Sequence, residues 1–157
     1  MILGKYQRSA LGTLVERTTR YTILVPLGAQ KDAVSVRQAY AAAFQSIHAE
    51  LKKSLTYDQG KEMSEHQQFT IDTDIKVYFA HPGSPWERGT NRNTYGLIRQ
   101  FFPKDTNFLT VFLEQIKETQ RSLNDHLEAV LNYQKPDEVL NNLVVLKVQS
   151  RNHKKGD

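Results

Sequence analysis

The 157-residue chain contains no cysteine, which excludes disulfides and thiolate metal sites and suits a reducing cytoplasm. Long hydrophobic runs are missing as well. The longest, around Tyr21–Leu27, falls far short of the ~20 residues a membrane helix needs, so no membrane role is expected. Met1-Ile2-Leu3 meets Gly4-Lys5 at once, leaving no signal-peptide core. There is no Walker A loop, GxGxxG turn or internal repeat, no Ser-His-Asp grouping, and no pair of histidines at metal-ligand spacing. What is present is a chain of 39% hydrophobic residues with a mean hydropathy of −0.57, long enough to bury one core unaided. Its net charge of +4 permits a polyanionic partner without requiring one.

Ala10–Arg17 and Tyr21–Leu27, rich in Val, Ile, Leu, Thr and Tyr, predict an antiparallel hairpin. Lys31–Lys53 then changes period: Ala33, Val36, Tyr40, Phe44, Ile47 and Leu51 mark an amphipathic helix. "SLTYDQG" (Ser54–Gly60) predicts a short strand, Lys61–Phe69 a short helix and Ile75–Ala80 a further strand. His81–Gly89 is a loop, and Thr90–Phe102 is helical until Pro103 stops it. A long helix is predicted over Phe108–Leu131 and a last one over Asp137–Leu146, before a polar tail expected to be disordered. This order of elements predicts a three-layer α/β domain, a mixed sheet with helices packed on it.

Asp58 stands at the carboxyl end of a predicted strand, where α/β sheets place ligands. On position alone, a turn aspartate capping the helix near Lys61 accounts for it better. Metal-assisted phosphoryl chemistry needs several carboxylates converging from different elements. The next would be useful at position 92, 34 residues on, at the start of a helix that also carries Arg99. Seven residues of helix return to nearly the same face, so an acid at 92 and a cation at 99 would suit a metal and a DNA phosphate. The sequence supplies Arg92 instead. As a plain surface residue it needs no account; at a helix amino end, which favours anions, it could hold a phosphate.

The words "SALGTLVERTTRYTILVPL", "LTYDQGKEM" and "SPWERGTN-NT-GLIRQFFPK", in order, resemble the catalytic core of insertion-sequence-thirty family transposases. These are DDE enzymes on an RNase H-like fold, with an integrase-type core. The resemblance runs from Ile2 to about Val139 and implies DNA cleavage and strand transfer with Mg²⁺ or Mn²⁺ held by three acids. The family's second acid falls on Asp58 and its third, in "N-E-N-T-N-G-L-[IL]-R", on Arg92. Its first would immediately precede Met1. Tyr95 replaces the last Asn of that word, and His126, Leu127, Glu128 and Ala129 replace a basic, proline-containing stretch, which is expected to let the long helix run on. Glu87 or Glu62 could in principle substitute for the missing acid, but Glu87 belongs to the "PWERG" turn, where Trp86 reads as an anchor.

The resulting expectation is an RNase H-like core over residues 1–146, its first strand cut short, followed by a disordered basic tail over 147–157. Asp58 is the surviving acid of a metal site that does not bind its ion productively. Arg88, Arg92, Asn91, Asn93, Arg99 and Lys104 form a candidate patch for DNA. The chain is expected to be cytoplasmic and to be either a catalytically inactive transposase remnant or a DNA-binding regulator. Such a regulator would form homo-oligomers or associate with an intact transposase.

Overall fold

The computed structural model describes residues 1–57, 61–81 and 89–154; the side chains of residue 62 and of residues 89–92 are outside that description. Three strands, β1 (Ile2–Leu3), β2 (Ala10–Val15) and β3 (Thr22–Gly28), form an antiparallel sheet in the order β1-β2-β3. The expected hairpin is present, with Gly12 opposite Val25 and Val15 opposite Thr22. A second sheet pairs β4 (Ser54–Tyr57) with β5 (Lys76–Phe79) in parallel, in register from Ser54–Lys76 to Tyr57–Phe79. Parallel and antiparallel pairings are thus both present, but no ladder joins β1 to β4 among the described residues. β1 is only two residues long.

Helices cover both faces of the antiparallel sheet because its strands alternate apolar residues to both sides. On one face, Ala10, Leu14, Val25 and Leu27 meet Val36, Tyr40 and Phe44 of α1 (Ala33–Gln45). That cluster continues through Leu55 and Tyr57 of β4 to Phe69 of α2 (His66–Thr73), so one core unites the two sheets. On the other face, Ile2, Leu11 and Leu24 pack with Ile98 and Phe102 of α3 (Gly89–Phe101) and with Ile116 and Leu123 of α4 (Leu113–Asn124). This is the three-layer α/β arrangement of an RNase H-like core.

Four predicted helices have different lengths. α1 is capped by Asp32, whose carboxylate accepts from the Ser35 N–H at 2.9 Å, and it stops at Ser46 rather than Lys53. The Ser46 hydroxyl and N–H both turn back to the Ala43 carbonyl, closing the last turn, and only a 3-10 turn at Ala49–Leu51 follows. The segment expected as one helix over Lys61–Phe69 is a 3-10 turn, Lys61–Met63, followed by α2. The helix expected over Phe108–Leu131 is shorter at both ends, and the loss of a proline does not prolong it. Its last residue, Asn124, is buried with its side-chain amide donating to the Thr22 carbonyl and its oxygen accepting from the Thr22 N–H, each at 2.8 Å. Beyond it the chain folds into a small loop closed by a Glu128–Gln134 bridge, and Leu127 is 52% exposed.

α5 (Pro136–Lys154) is longer than predicted and runs through residues expected as a disordered tail. Proline at its first position, Asp137 and Glu138 in its first turn and Arg151 and Lys154 in its last all suit a helix dipole. Arg151 pairs with Glu50. No helix of the described residues is long and apolar enough to cross a membrane.

Candidate active site

β4 and α3 are the elements that position the two residues singled out at 58 and 92. Tyr57, the last residue of β4, is buried, and its carbonyl accepts from the Ala80 N–H at 2.8 Å. The chain therefore leaves the parallel sheet at a fixed point, and Asp58 is the next residue, outside the described set. Arg88, Trp86 and Glu87 also lie outside it. Position 92 falls in the first turn of α3, as does Asn91, with neither side chain described. The side chain of Glu62 is likewise outside the description.

Two contacts fix where α3 lies. The Met1 amino group donates to the Tyr95 hydroxyl at 2.8 Å, and the Arg99 guanidinium donates to the Leu3 carbonyl at 2.8 Å. Four residues of helix rise ~6 Å and two residues of strand ~6.6 Å, so α3 and β1 run side by side in the same direction. Position 92, about 4.5 Å back along the helix from Tyr95, lies beyond the level of Met1, past the amino end of β1. The helix thus carries position 92 to the end of β1 at which the resemblance puts the first acid.

The remaining members of the expected DNA patch have distinct surroundings. Asn93 is exposed and lines an open cleft with Leu97 and residues 126–130, so the segment that replaces the family's basic stretch folds back beside the start of α3. Arg99 is half-buried, and it also donates to the Pro103 carbonyl at 3.2 Å and the Phe102 carbonyl at 3.4 Å. Its guanidinium clamps the end of α3 to β1, a role that its spacing from 92 did not disclose. Lys104 is exposed in the turn after α3, where the Thr106 N–H donates to the Pro103 carbonyl at 3.0 Å. That turn packs on Gly4, where a Cβ would stand 2.7 Å from the Thr106 carbonyl oxygen, so the close approach of the two loops requires glycine.

Sequence reasoning also missed how the outer edge of β3 is sealed. Its Thr22 N–H goes to Asn124, and its Leu24 N–H donates to the Gln120 side-chain oxygen at 2.9 Å. Pro26 has no N–H to offer. The signal was available: an amide at 120 and another at 124 share one face of α4. Tyr21, beside this seam, has its phenol pKa raised by burial and by the nearby Asp137 carboxylate, while a hydrogen bond with Gln120 opposes the rise.

A two-ion centre is built from hard oxygen ligands; the sequence has arginine at position 92, and Asp58 and the side chain of Glu62 lie outside the described residues. Among the described residues no three His, Asp or Glu side chains converge at metal-binding spacing.

The sequence profile of the integrase core domain matches residues 1–85. The chain is 45% identical over 140 residues to the transposase InsI for insertion sequence element IS30A of Escherichia coli (strain K12), covering 89% of this chain and 36% of that protein. It is 40% identical to the transposase for insertion sequence element IS1086 of Cupriavidus metallidurans (89% of this chain, 41% of that protein). It is 34% identical over 143 residues to the transposase for insertion sequence element IS4351 of Bacteroides fragilis (91% and 43%). The chain spans 36 to 43% of the length of these curated relatives. With its layered α/β core and the profile match over more than half its residues, the chain belongs to the integrase core domain family.

Proposed function

We propose that this chain is the core of an insertion-sequence transposase that holds DNA but does not cut it. The observation that carries the reading is Arg92, at the position where the family resemblance puts the third acid. The acids that the resemblance implies would hold Mg²⁺ or Mn²⁺, which would activate the attacking water or 3′-hydroxyl and stabilise the leaving oxygen. Exchanging a carboxylate for a guanidinium swings the local charge by two units. Each unit pair at ~4 Å is worth about 4 kcal/mol at an effective dielectric near 20, and a divalent ion feels more than one such interaction.

The same residue favours DNA binding. Arg92 lies in the first turn of a helix, where unpaired backbone N–H groups already attract phosphate. Asn93 is exposed one residue on, and in this reading Arg88, Asn91 and Lys104 add to the DNA contact. In this reading the chain is a regulator that competes with, or assembles onto, an intact transposase.

Titration tests both halves. Salt-dependent binding to duplex DNA, with no saturable Mn²⁺ binding that Asp58→Ala abolishes, is the expected result. Loss of DNA binding at low salt, together with no association with an intact relative, would remove the reading. A tight Mn²⁺ site dependent on Asp58 would refute its inactive half.

A further inference from the structure

The turn between β1 and β2, Gly4–Arg8, carries a cluster that the residues considered above do not include. Tyr6 is 77% exposed, the highest value among the large hydrophobic side chains described. The Lys5 ammonium lies 5.3 Å from the centroid of its ring, and the Arg8 guanidinium carbon 5.8 Å. Lys31 donates to the Gln7 carbonyl. The Lys5 N–H donates at 2.9 Å to the Thr106 carbonyl, in the turn that carries the exposed Lys104. The neighbouring acids are Asp32, whose carboxylate caps α1, and Asp105.

The backbone presents this tyrosine deliberately. Tyr6 and Gln7 have φ of 53° and 57°, a left-handed conformation that side chains other than glycine rarely adopt and that surrounding contacts must impose. Those contacts are present: Gly4 N–H to Ser9 carbonyl at 2.8 Å, Gln7 N–H to Gly4 carbonyl at 3.0 Å, and Arg8 N–H to Lys5 carbonyl at 3.2 Å. The result is an aromatic ring held out in water with two cations over it.

The turn also continues the line of α3. Position 92 lies ~10 Å along the helix from Arg99, which is bound to Leu3, and three further residues to Tyr6 add at most ~10 Å. About six nucleotides of one strand, at ~3.4 Å each, span that distance. An acidic protein segment would satisfy the cations but has no need of the ring, whereas every nucleobase has a π-face to lay on it.

We infer that the Gly4–Arg8 turn is a nucleic-acid contact in which Tyr6 stacks an unpaired base while Lys5, Arg8 and Lys104 hold the flanking phosphates. The inference rests on the reading that this chain binds DNA, and names where an unstacked part of that DNA sits.

Anisotropy titrations of the full chain test it, using a blunt duplex and the same duplex bearing a single-stranded tail of about eight nucleotides with 2-aminopurine in the tail. Wild type should prefer the tailed duplex and change the 2-aminopurine signal. Tyr6→Ala should weaken tailed binding roughly tenfold, leave blunt binding unchanged and abolish the signal change, while Tyr6→Phe keeps both. Tyr6→Asn, which tolerates the left-handed backbone, repeats the test if Tyr6→Ala melts early. Equal affinity of Tyr6→Ala and wild type for the tailed duplex would overturn the inference and leave DNA binding standing. So would an acidic peptide that displaces the tail as well as a competing oligonucleotide does. Wild type that binds neither duplex would remove the DNA reading and this inference together.

Discussion

Arg99 and the Lys5–Arg8 turn are neighbours joined through Leu3, yet they use positive charge in opposite ways. Arg99 directs its guanidinium at the carbonyls of Leu3, Phe102 and Pro103, fastening α3 to β1. Lys5 and Arg8 set theirs around an exposed ring. Asn124 extends the first pattern, since its buried amide is committed to both backbone groups of Thr22. In a basic protein, then, charge at a suggestive spacing does not by itself mark a ligand contact. What separates a clamp from a contact is whether the polar atoms already serve the fold.

Substitutions should pull the two kinds of group apart. Asn124→Leu leaves the Thr22 N–H and carbonyl buried without partners, so a loss of about 3 kcal/mol is expected, seen as a melting temperature lower by roughly 6–12 °C. An unchanged melting curve would mean water reaches that seam. Arg99→Ala should cost about 2 kcal/mol with little change in DNA affinity, because its donors serve carbonyls. A large loss of DNA binding without a loss of stability would reverse the comparison. The double variant Lys5→Ala, Arg8→Ala should stay within about 0.5 kcal/mol of wild type. Its DNA binding should instead depend less on salt, the log–log slope falling by about two.

The smallest effect concerns Tyr21. Its folded pKa is raised above the ordinary phenol value, so the folded state keeps its proton more tightly than the unfolded chain. Stability from this group is present below pH 10 and is lost as pH rises through the folded value. Urea midpoints should therefore fall more steeply on the alkaline side for wild type than for Tyr21→Phe. Parallel curves would deny the shift.

Much of the fold was legible because its signals are local. The alternating strands of the hairpin, the four-residue steps of Val36, Tyr40 and Phe44, and Pro103 after α3 each carry their own instruction. Helix ends were less so, because tertiary hydrogen bonds decide them. Asn124 stops α4 by reaching a strand 102 residues away, which no periodicity records. For the candidate site, the words around positions 58 and 92 were readable in one dimension. The alignment of α3 with β1 needed the Met1–Tyr95 and Leu3–Arg99 contacts. The Gly4–Arg8 turn escaped because a left-handed tyrosine is not written in residue types that ordinarily adopt that backbone.

The central claim is that a guanidinium at position 92 silences metal chemistry in a core that still grips DNA. The direct measurement is nicking of a supercoiled plasmid in Mg²⁺ or Mn²⁺. It would compare wild type, Asp58→Ala and Arg92→Glu. Wild type should cut no faster than Asp58→Ala, and Arg92→Glu should exceed both. Cleavage by wild type above the Asp58→Ala level would contradict the account.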